Sequence, residues 1–439
     1  MGRLFFISSL FLLAVLCTMR GDGATSGAAS ETPGTADFLR GSQLFREGEI
    51  EDAYLAFAAA GKANPALAPA GVLTALFFFQ EGNLAQTHEF LNRAIAESPN
   101  DPEAWYRLAR LAADDQRYPE LELLLMRGDE SLNAFAESNG NADRLLFLKG
   151  ESVALSARLA QGKGNLSSAE SKMREFTALY PDNGDGYLSL GYLLLQQDKT
   201  DEAIAEFSRA KERNPNLLSG WLTAASLLNG RGDTETAFRL LDEHKNDIGL
   251  SPADFSRMAS LFFKRGKLDE VVRIKEHLPV GSLDRFKWDG LLASSGGDYV
   301  TAEKAYQDAL KAAPDDFESI NGLILAIADQ GKEERQQDVL NRADRFRRRY
   351  PQSDEAAGTY AWVEFRCGNT ERAEDVLLPI LDRGGLTPTS AYYLACIVLC
   401  RKDNALAEQL LDSALASPDF FPKRADAEKL RESLERPAE

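Results

Sequence analysis

The sequence predicts an all-α fold, a linear solenoid of about eleven helix-turn-helix repeats. Three observations predict it. A short phrase recurs at a spacing near 34 residues, apolar residues follow helical spacing on either side of it, and prolines fall at one fixed point of the unit. Self-similarity at this period is the signature of stacked helix pairs that bury a continuous core between neighbours.

The phrase is clearest in Glu47-Gly48-Glu49-Ile50-Glu51-Asp52-Ala53 and Glu81-Gly82-Asn83-Leu84-Ala85-Gln86-Thr87, which stand 34 residues apart. It returns around Gly164, Gly232, Gly266, Gly297, Gly331 and Gly368, where neighbours are 34 residues apart or depart from that by three, save Gly164 and Gly232, which stand two periods apart. Each part has a mechanical reading. The glycine ends a first helix, because a left-handed residue there costs little without a Cβ. The polar residues after it start a second helix. An alanine lets the two helices approach, and a large apolar residue four positions on lies on the same face. A proline then stops the second helix, as Pro65, Pro99, Pro181, Pro215 and Pro314 do.

The most regular unit runs from Gly184 to Leu217. Tyr187, Leu190, Gly191 and Leu194 share one face of its first helix, Ala203, Phe207 and Ala210 share one face of the second, and Pro215 closes it. On these residues the chain resembles the tetratricopeptide family. Its pattern is a large residue, Leu, a small residue and an aromatic or apolar one, then Ala, Phe, Ala and Pro. The resemblance implies a right-handed superhelical solenoid. Units start near Gly34, Ala68, Pro102, Gly150, Gly184, Leu218, Pro252, Leu283, Phe317, Asp354 and Pro388. The unit from Pro102 has Leu121 where Ala is usual and runs into an irregular stretch, Asp129 to Asp143, before a long first helix. The unit from Phe317 is about three residues longer than its neighbours.

The ends read differently. Met1-Gly2-Arg3 followed by the apolar run Leu4 to Leu16 and small residues reads as an export signal over 1–24. An uncleaved membrane anchor is the alternative, although the run is shorter than the roughly 17–25 residues of a spanning helix. Residues 25–35 read as a flexible tether rich in small residues, 36–422 as the solenoid, and 423–439 as a charged, solvating cap helix and tail. The expected location is therefore exported, periplasmic or extracellular, with membrane attachment only through the N-terminal segment.

A net charge of −18 argues against nucleic-acid binding. Three scattered histidines and four cysteines form no HExxH and no CxxC, so no metal or other cofactor is expected. Asp182-Asn183-Gly184-Asp185-Gly186 has Gly where a calcium loop needs its third-position oxygen ligand, and it reads as an inter-repeat turn. Neither a glycine-rich phosphate loop nor a GxSxG elbow is present, so the chain is not expected to be an enzyme.

The resemblance implies a concave groove lined by one face of each first helix, binding an extended peptide or helix. The residues on that face include Tyr106, Arg110, Arg158, Leu188, Tyr192, Lys287, Asn321, Trp362 and Tyr392. Several of them would equally pack on the next repeat. The Lys/Asn clamp by which some members read chaperone tails is not found, because Lys287 is followed one turn on by Leu291 and Asn321 by Leu325. Arg342, Arg345, Arg347, Arg348 and Arg349 lie late in a second helix, where they offset the helix dipole and pair with nearby acids, or dock an acidic partner. Cys367, Cys396 and Cys400 read as buried thiols, with a Cys367–Cys400 disulfide as the alternative in an oxidising compartment. The function expected is a non-catalytic scaffold or assembly factor that binds a protein or peptide of unidentified kind. A dedicated accessory or regulatory subunit of an envelope enzyme complex is the alternative.

Overall fold

The computed structural model describes residues 32–138 and 141–435, and these are helices joined by short turns. The expected signal over 1–24, and the tether up to residue 31, lie outside the described residues. The chain divides into two compact units, one ending at Gly220 and the other starting at Trp221. The first holds five helix pairs: Thr35–Glu47 with Ile50–Ala63, Ala70–Gln80 with Leu84–Glu97, Glu103–Asp114 with Tyr118–Glu137, Ala142–Gly162 with Leu166–Leu179, and Gly184–Gln196 with Thr200–Arg213. The second holds six: Gly220–Gly230 with Thr234–His244, Pro252–Lys264 with Leu268–Lys275, Leu283–Ser295 with Tyr299–Ala312, Phe317–Asp329 with Gln336–Arg349, Asp354–Arg366 with Thr370–Asp382, and Pro388–Leu399 with Asn404–Leu415. A last helix, Arg424–Glu435, follows. Numbered in that order, these are pairs 1 to 11.

The turn between the two helices of a pair is set by one left-handed residue. Glycine supplies it in eight pairs, at Gly48, Gly82, Gly164, Gly232, Gly266, Gly297, Gly331 and Gly368. The remaining three pairs hold the same conformation without glycine, at Gln116 (φ 58°), Asp198 (φ 58°) and Lys402 (φ 63°). A Cβ in this region costs roughly 1–2 kcal/mol, so packing on both sides enforces the turn there.

Second helices end two residues before the expected prolines, at Ala63, Glu97, Leu179, Arg213 and Ala312. The residue between is forced out of the helical region by the proline ring that follows. Asn64, at φ −133° and ψ 95°, and Asn214, at φ −133° and ψ 92°, show it. Starts are capped by side chains: Asn83, Asn165, Asp233, Asp298 and Asp403 each accept from the backbone N–H three residues on. Asn183 caps Gly186 in the same way, so the acidic stretch around it is a helix start.

Inside a pair, small residues on the first helix admit a ring from the second. A Cβ on Gly191 would stand 2.5 Å from Phe207, which is fully buried, and one on Gly290 would stand 2.7 Å from Tyr306. Between pairs, first helices touch first helices, as Glu103–Asp114 does Ala142–Gly162 and Asp354–Arg366 does Pro388–Leu399.

Two expectations need correction. Asp129 to Asp143 is not an irregular stretch: helix Tyr118–Glu137 runs through its first half and helix Ala142–Gly162 opens in its last two residues. Leu132 and Phe135 pack on the core of pairs 3 and 4, which extends the second helix beyond the usual length. The first helix of pair 4 accordingly starts at Ala142, ahead of the unit start expected near Gly150. The three extra residues of the unit from Phe317 form a short 3-10 turn, Glu333–Arg335.

Candidate partner-binding site

The expected groove residues do not share one environment. In the first unit Tyr106 is fully buried and its hydroxyl donates to Asp129 Oδ1 at 2.8 Å. Burial, then the Asp129 charge, drive its pKa far up. Arg110 is held by the Glu151 carboxylate, whose charge raises the guanidinium pKa further. These two residues are core groups joining pairs 3 and 4. Arg158 is partly open and pairs with Asp114 at 2.9 Å. Leu188 is half-buried. Tyr192 is 39% exposed and meets Phe207 edge-on at 5.6 Å. Arg158, Leu188 and Tyr192, on the first helices of pairs 4 and 5, are therefore the positions of this set that reach solvent in the first unit.

At the start of pairs 3 and 4 lies a buried ionic cluster. Arg144, with 3% of its side chain exposed, pairs with Asp101 at 2.7 Å and with Glu103 at 3.0 Å. Glu103 also holds Arg107 at 2.8 Å. Burial works against the Glu103 carboxylate, but Arg144 and Arg107 keep its pKa below the usual range. Loss of water pushes Asp101 up despite Arg144.

In the second unit Lys287 pairs with Asp316 at 3.6 Å and with Glu318. Asn321 is buried: it donates to Glu355 Oε1 at 2.8 Å and accepts from Thr359 at 2.5 Å. Trp362 is 4% exposed, stacks on Tyr393 at 4.3 Å, and donates from Nε1 to Asp329 Oδ1 at 2.8 Å. Tyr392 is also buried, and loss of water raises its pKa. Contact between successive first helices is the physical cause of this burial: large residues on the inner face are taken up by the next pair before they can meet a ligand.

Part of the cover over Trp362 comes from the chain's own C-terminal segment. Lys423, expected in a solvating cap, has 9% of its side chain exposed; its ammonium lies 2.8 Å from Asp329 Oδ2 and donates to the Tyr299 hydroxyl at 2.8 Å. Asp329 was not among the expected site residues. The signal for it was electrostatic: it is an acidic residue at the C-terminal end of a first helix, where the dipole disfavours negative charge.

The arginine cluster is locally paired. Arg342 meets Asp338 at 2.9 Å, Arg348 meets Asp344 at 3.0 Å, Arg349 meets Asp315 at 2.8 Å, and Arg347 lies over the Tyr360 ring. Cys367, Cys396 and Cys400 are free thiols, so the Cys367–Cys400 bridge is not formed in the structure. Burial pushes the Cys396 thiol up to about 11. Among the described residues no group of His, Cys, Asp and Glu is placed to hold a metal ion, and no helix is long and apolar enough to cross a membrane.

Family models described as tetratricopeptide repeat match residues 155–217, 290–354 and 78–131. The chain is a tetratricopeptide-repeat protein, and such repeats are protein-interaction modules that are typically non-catalytic. A relative, cellulose synthase operon protein C of Pseudomonas fluorescens, is 26% identical over 239 residues, 54% of this chain. The match spans only 16% of that relative's own length. Among solved structures, a tetratricopeptide repeat protein from Parabacteroides merdae is 16% identical, with 65% of this chain and 99% of that chain covered and a TM-score of 0.36. PilF of Pseudomonas aeruginosa is 15% identical, with 52% and 97% covered and a TM-score of 0.34. Nothing about function follows from structural likenesses at these scores.

Proposed function

We propose that this chain is a non-catalytic scaffold or assembly factor, exported or envelope-associated, that holds a protein or extended peptide on the first-helix face of its first unit. The observation that carries the reading is Tyr192, a large aromatic left 39% exposed at an expected groove position of pair 5. Arg158 and Leu188 hold groove positions of the same frame on the first helices of pairs 4 and 5. Aromatic and arginine side chains are the usual energetic anchors of interfaces. In vivo crosslinking through a photoreactive residue at position 192, followed by mass spectrometry, tests it. A partner captured from 192, and lost when excess wild-type chain but not excess Tyr192→Ala chain is supplied as competitor, supports the reading. Capture no greater than from an outer-face position such as Lys172 ends it.

A second reading is a dedicated accessory subunit of an envelope enzyme complex. The likeness to a protein of a cellulose synthase operon favours it. One stoichiometric partner in the crosslinked material points to this reading, several substoichiometric partners to the general scaffold. Export is tested by the mature N-terminus of the native protein: a start near residue 25 supports a cleaved signal, and retention of Met1 contradicts it.

A further inference from the structure

The connection between the last helix pair and the terminal helix does not simply turn a corner. Ser417 to Lys423 leaves pair 11 and lies against pairs 7, 8, 9 and 10 of the same unit. Phe420 meets Phe263 edge-on at 5.1 Å and donates its backbone N–H to the Lys264 carbonyl at 2.6 Å. Phe421 is 5% exposed and buried in the aromatic core of pairs 10 and 11. Lys423 inserts its ammonium between Asp329, the Tyr299 hydroxyl and the Trp362 ring, whose centroid is 6.0 Å away. Arg424 closes the connection on itself, donating to the Leu415 and Ser417 carbonyls at 3.0 Å.

Two features set this apart from core packing. The segment is non-helical and is held by the side chains of Phe420, Phe421 and Lys423. At its centre is a desolvated lysine on a carboxylate with only 4% exposure. A buried ion pair is weak as a device for stability, since apolar residues of similar volume often do as well, but it is selective for charge. Without Lys423, Asp329 would keep Trp362 Nε1 and Arg366 on Oδ1, yet Oδ2 would face an empty aromatic-walled slot.

We propose that this slot is a lysine-reading peptide site in its self-occupied state. Its external ligand is an extended segment with an aromatic residue three positions before a lysine, the chemistry of Phe420-Phe421-Pro422-Lys423. A partner carrying such a segment exchanges with the chain's own C-terminal connection. The inference concerns the second unit alone and does not depend on what the first unit holds.

The test uses the full chain and a capped synthetic peptide of residues 416–424, with binding read by calorimetry and Trp fluorescence. The double variant Phe420→Ala, Lys423→Ala should bind the peptide at least tenfold more tightly than the wild-type chain, whose site is filled. Adding Asp329→Asn, which keeps Oδ1 as acceptor for Trp362, should remove that gain, as should a peptide with Lys423→Glu. Lys423→Ala alone, which leaves both phenylalanines in place, serves if the helical signal shows that the double variant does not fold. Equal binding by wild type and variant overturns the proposal, as do no binding by either and binding indifferent to Asp329→Asn. Loss of stability without peptide binding also overturns it, leaving the connection a structural clasp. Capture from position 192 is read separately, so the failure of one reading is distinguishable from the failure of the other.

Discussion

The two units use the same helix pair to different ends. In the first, cohesion passes mostly from neighbour to neighbour, through ring-against-glycine packing and the ionic cluster of Arg144, Asp101 and Glu103, with one long, weak reach from Arg144 to the Ala66 carbonyl at 3.5 Å. In the second, a contact jumps along the array: Lys423 reaches Tyr299 across 124 residues of sequence. A repeat array with nearest-neighbour coupling alone loosens locally when struck. One with a strap joining distant pairs should loosen at both anchor points together. The difference teaches that inner-face residues of a repeat are not interchangeable. Tyr192 stays 39% exposed beside Phe207, whereas Trp362 is covered by the next pair and by the chain's own C-terminal segment.

The sharpest way to break the first half of the comparison is Arg144→Ala. It strands the Asp101 carboxylate in a buried site and leaves Glu103 with Arg107 alone, at a cost of about 3–5 kcal/mol. Denaturant unfolding followed by hydrogen exchange should show the first unit melting early while the second keeps its protection. Phe207→Ala should cost about 2–5 kcal/mol, because it empties a fully buried ring site against Gly191. Its loss of protection should stop at the adjacent pair, and uniform loosening along the unit would contradict nearest-neighbour coupling. Gly191→Ala attacks the same contact from the other helix and should cost about 1–3 kcal/mol by overpacking. At the small end, Gln116→Gly should stabilise the first unit by about 0.5–1 kcal/mol, since it relieves a left-handed Cβ at the price of some chain entropy. The denaturant midpoint reads this change.

Much of the fold was legible because each repeat carries local instructions. The prolines fix where second helices end, and the glycines mark eight of the eleven left-handed turns. The turns at Gln116, Asp198 and Lys402 carry no glycine, because packing of the flanking helices can impose a conformation the residue itself disfavours. Helix Tyr118–Glu137 was hidden for a related reason: Asp129, Glu130, Ser131 and Asn133 resemble a loop, while Leu132 and Phe135 find apolar partners that only the folded neighbour supplies. The site was less legible than the fold. Helical spacing names the face on which Tyr106, Asn321, Trp362 and Tyr392 lie, but not the depth to which the next first helix covers it. Lys423 looks like solvated charge in sequence, since its carboxylate partner stands 94 residues away at the end of another helix.

Hydrogen exchange of the full chain, wild type against Phe420→Ala, Lys423→Ala, tests the contrast between the units most directly. The predicted result is a coordinated loss of protection at the ends of helices Pro252–Lys264 and Phe317–Asp329 and at the start of Tyr299–Ala312, with the first unit unchanged. Loss confined to pair 11 and the terminal helix would contradict it, and would make the second unit a nearest-neighbour array like the first.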